Sequence, residues 1–106
     1  REELRSAASY LVEKWQERLG VEVERFFIQR MKTKWGGSSP QRRTIRLNLE
    51  LAKKHPECLD YVVLHEMAHF LVPNHSEDFV ALLDRNMSNW RHVRKHLNDL
   101  PLAPVE

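Results

Sequence analysis

The segment HEMAHFLVPNH, residues 65–75, concentrates side chains that can bind a metal ion and move a proton. His65 and His69 are four residues apart, so on a helix they project from one face, about 6 Å apart along the axis. Two imidazoles in this arrangement can share one metal ion. Glu66 lies about 100° further around the helix, where its carboxylate can reach a metal-bound water without binding the metal. The spacing separates two ligands from a general base.

The third histidine, His75, can join this pair only if the chain turns back. On a continuous helix it would lie about 15 Å beyond His65 and on another side. Pro73 has no amide hydrogen and disfavours helical geometry at Val72. The sequence therefore predicts a bend that returns His75 to His69. Three nitrogen ligands would then leave the fourth position of a zinc ion for water, as in a catalytic site.

These residues predict a zinc-dependent peptidase. Zinc lowers the pKa of a bound water toward about 7, Glu66 takes the proton of that water, and the activated water attacks a carbonyl that the metal polarises. Glu66 would later deliver the proton to the leaving amine. The alternative is that the histidines lie on a helix surface or in the core without a metal.

Length and composition predict one soluble domain. The 106 residues suffice for a single modest core and are too few for two. Hydrophobic residues make up 42% and charged residues 30%, the net charge is +2, and no apolar run approaches the roughly 20 residues of a membrane span. The single cysteine, Cys58, excludes an internal disulfide framework, and no leader-like segment precedes the first helix. We expect a cytoplasmic monomer without membrane association.

The hydrophobic pattern predicts an α+β fold. Apolar residues recur at helical spacing through residues 2–19 and stop at Gly20, which predicts an N-terminal helix. Residues 21–31 and 44–49 show strand-like alternation and flank a Gly/Ser/Pro turn signal at residues 35–40. The two segments are therefore expected to form a small antiparallel sheet around that turn.

Three further helices are expected in the second half of the chain. The first begins near Pro56, carries the HEMAH segment and stops before Pro73. Ser76 and Ser88 have the residue type and position of N-caps for two short C-terminal helices, EDFVALLDRNM and NWRHVRKHLNDL.

The segment YVVLHEMAHFLVPNHSEDF, together with RMKTKWGGSS and IRLN upstream, resembles the YgjP-like family of zincin metallopeptidases, which is related to SprT-like and WLM-type peptidases. The resemblance runs through residues 30–98. It implies a zincin-like fold with a zinc-binding active-site helix, a Zn2+ cofactor, and a peptide or unfolded-protein substrate. The residues that match the family's site are His65, His69 and His75 as zinc ligands and Glu66 as general base.

Two features depart from that family. Members commonly read WGSCS where this chain has WGGSS at residues 35–39, so the usual cysteine is absent. Members also usually carry a β-rich N-terminal segment, which we expect to be missing upstream of this single domain, residues 1–106.

Two surfaces have alternative interpretations. By resemblance to zincins, the strand at residues 44–49 is either the sheet edge that pairs with an extended substrate or an ordinary interior strand. The basic residues around the turn form either a patch for nucleic acid or a solvated sheet face; they are Arg30, Lys32, Lys34, Arg42, Arg43 and Arg46. The alternative to a peptidase is a zinc-containing binding or scaffold module with little or no proteolytic activity, for which DNA is one candidate partner.

Three other potential ligands are interpreted as structural. Cys58 is interpreted as a small buried hydrophobe. His92 and His96 repeat the four-residue spacing, but no glutamate follows the first, and their basic neighbours would repel a cation. A solvated basic helix end is the favoured interpretation.

Overall fold

The computed structural model describes residues 2–99. Over this range the chain forms four α-helices, a short 3-10 helix and three strands. In order these are α1 Glu2–Leu19, β1 Arg25–Gln29, β2 Gly36–Ser39, β3 Thr44–Asn48, the 3-10 helix Leu49–Lys53, α2 Pro56–Ala68, α3 Glu77–Asn86 and α4 Trp90–Asn98. The predicted α+β class is confirmed. None of the described helices has the length and apolarity needed to span a bilayer.

Helix α1 packs on α2 through one apolar face, and it ends as predicted. Its buried residues are Leu4, Ala8, Val12 and Trp15. Gly20 adopts φ +70° and donates its N–H to the carbonyl oxygen of Gln16 at 2.9 Å, which closes the helix. Asp60 on α2 accepts a hydrogen bond from the indole nitrogen of Trp15 at 2.7 Å and pairs with Lys14 at 3.1 Å. These polar contacts fix α1 against α2.

The sheet has the order β1-β3-β2 and is mixed. Strand β1 pairs with β3 in parallel, from Arg25 opposite Thr44 to Gln29 opposite Asn48. The predicted antiparallel pairing of these two segments is therefore wrong. Residues 30–43 are long enough for the crossover that parallel strands require, and they contain a further strand, β2, which pairs antiparallel with β3.

The segment predicted as a turn is itself partly a strand. Residues 36–39 form β2, and the chain reverses only at residues 40–43, where Arg43 has a φ of 57°. Strand β3 is consequently central, while β1 and β2 form the two edges. The interpretation of residues 44–49 as a substrate-pairing edge is wrong, and the alternative, an interior strand, is correct.

Helix α2 is the centre of the domain. It begins at Pro56 as predicted, and His55 caps it by accepting a hydrogen bond from the amide of Glu57 at 3.2 Å. From Cys58 onward nearly every side chain of α2 is buried, with Asp60 as the exception. Helix α1, strands β2 and β3, helix α3 and helix α4 all pack against it.

Helices α3 and α4 complete the core. Ser76 precedes α3 as predicted, although its side chain makes no capping hydrogen bond. The expected N-cap Ser88 is wrong by one residue, because α4 begins at Trp90 after Asn89. Trp90 is buried and donates its indole N–H to Asp84 at 2.7 Å, which ties the first turn of α4 to α3.

Replacing Asp60 with alanine should destabilise the fold by about 1–3 kcal/mol. The buried indole N–H of Trp15 would lose its acceptor, and an unsatisfied buried donor costs this much. Urea unfolding followed by circular dichroism measures the loss.

Lys14→Met is the matched control for this change. Methionine keeps an aliphatic side chain against Trp15. The change removes only the half-buried ion pair with Asp60 and the cation–π contact in which Nζ of Lys14 lies 4.4 Å from the ring centroid of Trp15. It should therefore cost less than about 1 kcal/mol. Equal losses in the two variants would contradict a dominant role for the Trp15–Asp60 hydrogen bond.

Candidate metal centre

The C-terminal turn of α2 carries the first part of the site. His65 and Glu66 belong to the helix, while His69 immediately follows its last residue, Ala68, and still has helical backbone angles (φ −66°, ψ −16°). The amides of Phe70 and Leu71 each bond to the carbonyl three residues earlier, at 3.0 Å, so the chain tightens into a turn directly after the second histidine.

The bend after this turn brings His75 back to the helix end. Its Nε2 lies 3.1 Å from Nε2 of His69. One potential ligand atom from each of His65, His69 and His75 lies within 4.8 Å of the others. The three ring centroids are separated by 4.8–5.1 Å. The three histidines that the sequence singled out therefore form one cluster, which we call the histidine cluster.

The distances in the histidine cluster suit a zinc ion. Zinc–nitrogen bonds of about 2.0–2.1 Å in a tetrahedral site place two ligand nitrogens roughly 3.3–3.4 Å apart. The observed 3.1 Å between His69 and His75 is close to that separation. Three neutral imidazoles are also a donor set that zinc accepts. The His69–His75 pair thus has the spacing of two ligands of one metal ion, and the ligand atom of His65 lies within 4.8 Å of both.

A backbone carbonyl orients one of these rings. Nδ1 of His69 lies 3.2 Å from the carbonyl oxygen of Val72. A carbonyl only accepts hydrogen bonds, so Nδ1 is the donor in this contact and Nε2 faces the cluster as the potential metal ligand. Val72 therefore has two roles: it lies in the bend before Pro73, and its carbonyl orients His69. The spacing of residues in the sequence did not indicate the second role.

Phe79 on α3 supports all three rings from one side. Its ring centroid lies 5.1 Å from that of His65, 4.6 Å from that of His69 and 5.0 Å from that of His75. Phe79 is buried. The sequence signal that could have identified it is its place as the first apolar residue of an amphipathic helix, four residues after His75.

Glu66 is fully buried beside the histidine cluster. Its Oε2 lies 3.3 Å from Nδ1 of His65. On its other side β2 passes so close that a Cβ added to Gly36 would lie 3.1 Å from Cγ of Glu66 and 2.8 Å from Cγ1 of Val62. Gly36 is thus required for the close approach of strand and helix. From the sequence, the Gly-Gly pair is interpreted only as part of a turn.

A buried asparagine holds the loop that precedes β2. The side-chain amide of Asn48 donates to the carbonyl oxygens of Met31 at 2.9 Å and Lys34 at 2.7 Å. Its backbone amide donates to the carbonyl of Trp35 at 3.0 Å. Trp35 is fully buried and anchors this loop in the core. Asn48 thereby fixes the segment from which Lys34 reaches the site.

Two hollows adjoin the histidine cluster. The first, which we call the strand-side cleft, has a volume of about 500 Å3 and is lined by residues that include Lys34, Gly37, Ser38, Arg46, Glu66 and His75. The second, the helix-side cavity, has a volume of about 210 Å3 and is lined by residues that include Tyr61, His65, His75, Phe79, Trp90 and Arg94. A larger hollow of about 600 Å3 lies between α1 and the start of α2 and shares no lining residue with the histidine cluster.

Tyr61 lies one helical turn before His65. The two rings meet edge to face with centroids 5.6 Å apart, and the ring of Tyr61 stacks on that of Trp90 with centroids 6.4 Å apart. Burial raises the pKa of Tyr61 to about 12; the Arg94 charge opposes this shift and the Glu66 charge adds to it. The hydroxyl is therefore protonated at neutral pH and can donate a hydrogen bond.

The other potential ligands lie outside the histidine cluster. Cys58 is buried, and burial raises the pKa of its thiol, in agreement with the structural interpretation. His92 and His96 are exposed on α4. The six basic residues around the turn are also exposed, and two of them, Lys34 and Arg46, line the strand-side cleft. Nucleic-acid binding by this surface stays a prediction.

Three histidines clustered beside a buried glutamate, on a small α+β scaffold, are typical of a metallopeptidase. The chain belongs to the YgjP-like family, since the family model described as "YgjP-like, metallopeptidase domain" matches residues 1–100. The family predicted from the sequence is thus confirmed, and membership implies a divalent metal, typically zinc.

Two solved structures share the fold. The metallopeptidase zymogen of Pyrococcus abyssi abylysin is 20% identical, with a TM-score of 0.80 over 92% of this chain and 99% of that chain. The metallopeptidase zymogen of Methanocaldococcus jannaschii jannalysin is 24% identical, with a TM-score of 0.76 over 87% of this chain and 88% of that chain. A comparison with curated protein sequences finds no match.

Gly36→Ala should destabilise the domain by about 1–3 kcal/mol. Its new methyl group would overlap Val62 at 2.8 Å and press on Glu66, and overpacking a filled core costs this much. Thermal and urea unfolding measure the change.

Gly37→Ala is the control on the same strand, because a Cβ there meets only the tip of Arg46 at 4.0 Å. It should be neutral or slightly stabilising, since alanine restricts the unfolded chain more than glycine does. If both variants unfold alike, the close approach at Gly36 does not limit the packing.

Proposed function

We propose that this chain is a zinc-dependent endopeptidase in which His65, His69 and His75 hold the metal and Glu66 is the general base. The observation that carries the proposal is the convergence of the three histidines beside a fully buried glutamate on the same helix. Structural zinc sites are closed by four protein ligands. Within residues 2–99 this cluster of His, Cys, Asp and Glu side chains has three members, which supports a site with one open position.

Bound zinc would supply a Lewis acid for the peptide carbonyl and would lower the pKa of a coordinated water to about 7. The carboxylate of Glu66 accepts the proton of the attacking water and returns it to the departing amine nitrogen as the C–N bond breaks. Its position is fixed from two sides, because the helix carries it next to His65 and β2 packs against its Cγ. Such fixed placement favours proton transfer over a short, constant distance.

The bend has two functions in this mechanism. It carries His75 to the helix end, and it places the carbonyl of Val72 where it accepts the Nδ1–H of His69. An imidazole held in this way keeps the correct tautomer for metal binding, and removing such a partner typically costs 10–100-fold in metal affinity or activity.

An extended substrate would pair with the outer edge of β2. Gly37 and Ser38 line the strand-side cleft next to Glu66 and His75, and β2 is an edge strand. Pairing through backbone hydrogen bonds gives affinity with little demand on sequence, which suits peptides or unfolded protein. The proposed substrate-pairing strand is therefore β2 and not β3, because β3 is central in the sheet.

His75→Ala should lower zinc affinity by more than 100-fold. Loss of a direct ligand exceeds the 10–100-fold cost of losing a partner of a ligand. Competition with a chromophoric chelator measures the dissociation constant for zinc. His92→Ala removes an exposed histidine outside the cluster and should retain the wild-type value within about twofold. Wild-type affinity in His75→Ala would exclude this ligand set.

Glu66→Gln should lower kcat on an unfolded casein substrate by at least about 100-fold while zinc stays bound. The amide cannot accept the proton of the water, and a positioned general base contributes roughly 10²–10⁴-fold. Glu57→Gln, at the first turn of the same helix, should retain wild-type turnover.

Metal analysis of both variants identifies the cause of any loss. If Glu66→Gln loses zinc along with activity, Glu66 is a ligand and the mechanism is wrong. If the zinc-loaded wild type hydrolyses neither casein nor a broad peptide library, the chain is instead a zinc-containing binding module.

A further inference from the structure

The helix-side cavity has features that the proposed chemistry does not use. Its volume of about 210 Å3 is below the roughly 300–1,000 Å3 of pockets for drug-sized ligands and cofactors, so it suits one amino-acid side chain. Because His65 and His75 belong to its lining, any group inside it lies directly beside the metal centre. In a bound peptide that position corresponds to a residue next to the scissile bond.

The walls of this cavity are largely apolar. Besides the two histidines, Tyr61 and Arg94 line it, and both can donate hydrogen bonds. Phe79, Leu83 and Trp90 are buried and supply the apolar surface. The side chain of Tyr61 is 1% exposed, yet its hydroxyl makes no hydrogen bond to any residue of the described range 2–99. A hydroxyl that has no acceptor among these residues and lines a cavity has a donor to offer a ligand.

Arg94 on α4 supplies the second donor. It is exposed and forms no ion pair with any residue between 2 and 99, whereas Arg91 on the same helix pairs with Asp84 at 2.9 Å. Among the described residues, no acidic side chain lines the cavity. A lysine or arginine entering it would meet the charge of Arg94, and a purely apolar side chain would leave the hydroxyl of Tyr61 unpaired.

We propose that the helix-side cavity is a specificity subsite for a substrate carboxylate next to the scissile bond, bound by the guanidinium of Arg94 and the hydroxyl of Tyr61. This inference rests on the peptidase function proposed above. A guanidinium presents parallel N–H donors that match the two oxygens of a carboxylate, and such charge-assisted pairs are the strong ones. In a peptide the carboxylate belongs either to a glutamate or aspartate side chain or to the C-terminus.

Matched synthetic octapeptides test the subsite. They share one sequence and differ only in Glu, Gln or Leu at a central position, with both ends blocked. Mass spectrometry locates the cleaved bond, and kcat/KM is measured for each peptide with the zinc-loaded enzyme. We expect cleavage beside the varied position and a Glu-to-Gln ratio of roughly 10–100, as for a charge-assisted hydrogen bond.

Arg94→Gln should reduce that Glu-to-Gln ratio to about one. Lys95→Gln is the control, because it removes the same charge from the next residue of α4, which does not line the cavity, and it should keep the wild-type ratio. Tyr61→Phe should lower the ratio by less than Arg94→Gln. A wild-type ratio of at least about 10 that is unchanged in Arg94→Gln overturns the subsite.

A second peptide set distinguishes the two carboxylate sources. Peptides with Gln at the varied position and a free C-terminus are compared with their C-terminal amides. Preference for the free acid with removal of the last residue assigns the subsite to the C-terminal carboxylate. Preference for internal Glu in blocked peptides assigns it to a side chain. No preference in either set overturns the proposal.

Binding separates failure of this inference from failure of the proposed function. Isothermal titration of the zinc-loaded Glu66→Gln variant with the Glu and Gln peptides should show tighter binding of the Glu peptide, and adding Arg94→Gln should remove the difference. If the wild type cleaves no peptide but this difference is present, the function fails while carboxylate binding by the cavity stands. If the wild type cleaves Glu and Gln peptides equally and also shows no preference for a free C-terminus, the function stands and the subsite fails.

Discussion

The burial of α2 is the constraint on which the rest of the molecule depends. A chain of this length can bury only a modest core, and most of that core surrounds one helix. The first histidine of the cluster and the glutamate beside it belong to the buried part of this helix, so packing on every side fixes them. His75 lies on an exposed loop, and it is held by its contact with Phe79, which belongs to the same core. The metal centre is thus a direct continuation of the core.

The approach of β2 to α2 connects the sheet to the site. Only a residue without a side chain fits between the strand and Glu66, and Gly36 occupies that position. The neighbouring Trp35 is buried and anchors the strand, while Asn48 at the end of β3 holds the loop before it through three hydrogen bonds. One glycine, one tryptophan and one asparagine therefore hold β2 and the loop before it beside the site, although none of them is proposed to contact the metal.

Local chemistry explains which features the sequence could predict. The helix boundaries at Gly20 and Pro56 follow from backbone preferences of single residues, and the grouping of the three histidines follows from helix spacing and a proline. The sheet could not be derived in this way. The strand order depends on which segment packs against α2. Strand β2 consists of glycine and serine, which are weak strand formers, so its sequence does not mark it as a strand. The contacts of Asn48 with Met31 and Lys34 likewise join residues that are distant in the sequence, and they have no local signal.

The composition of β2 has a consequence for the behaviour of the protein at high concentration. An exposed strand edge normally invites another copy of the chain to pair with it and begin aggregation. Strand β2 has four residues, two glycines and two serines, and therefore offers no large or β-branched side chain to hold a second strand in register. Its backbone groups stay available to a peptide that gains additional contacts in the cleft, while self-pairing gains none. The glycines and serines that let β2 approach α2 thus also give this open edge little tendency to start aggregation.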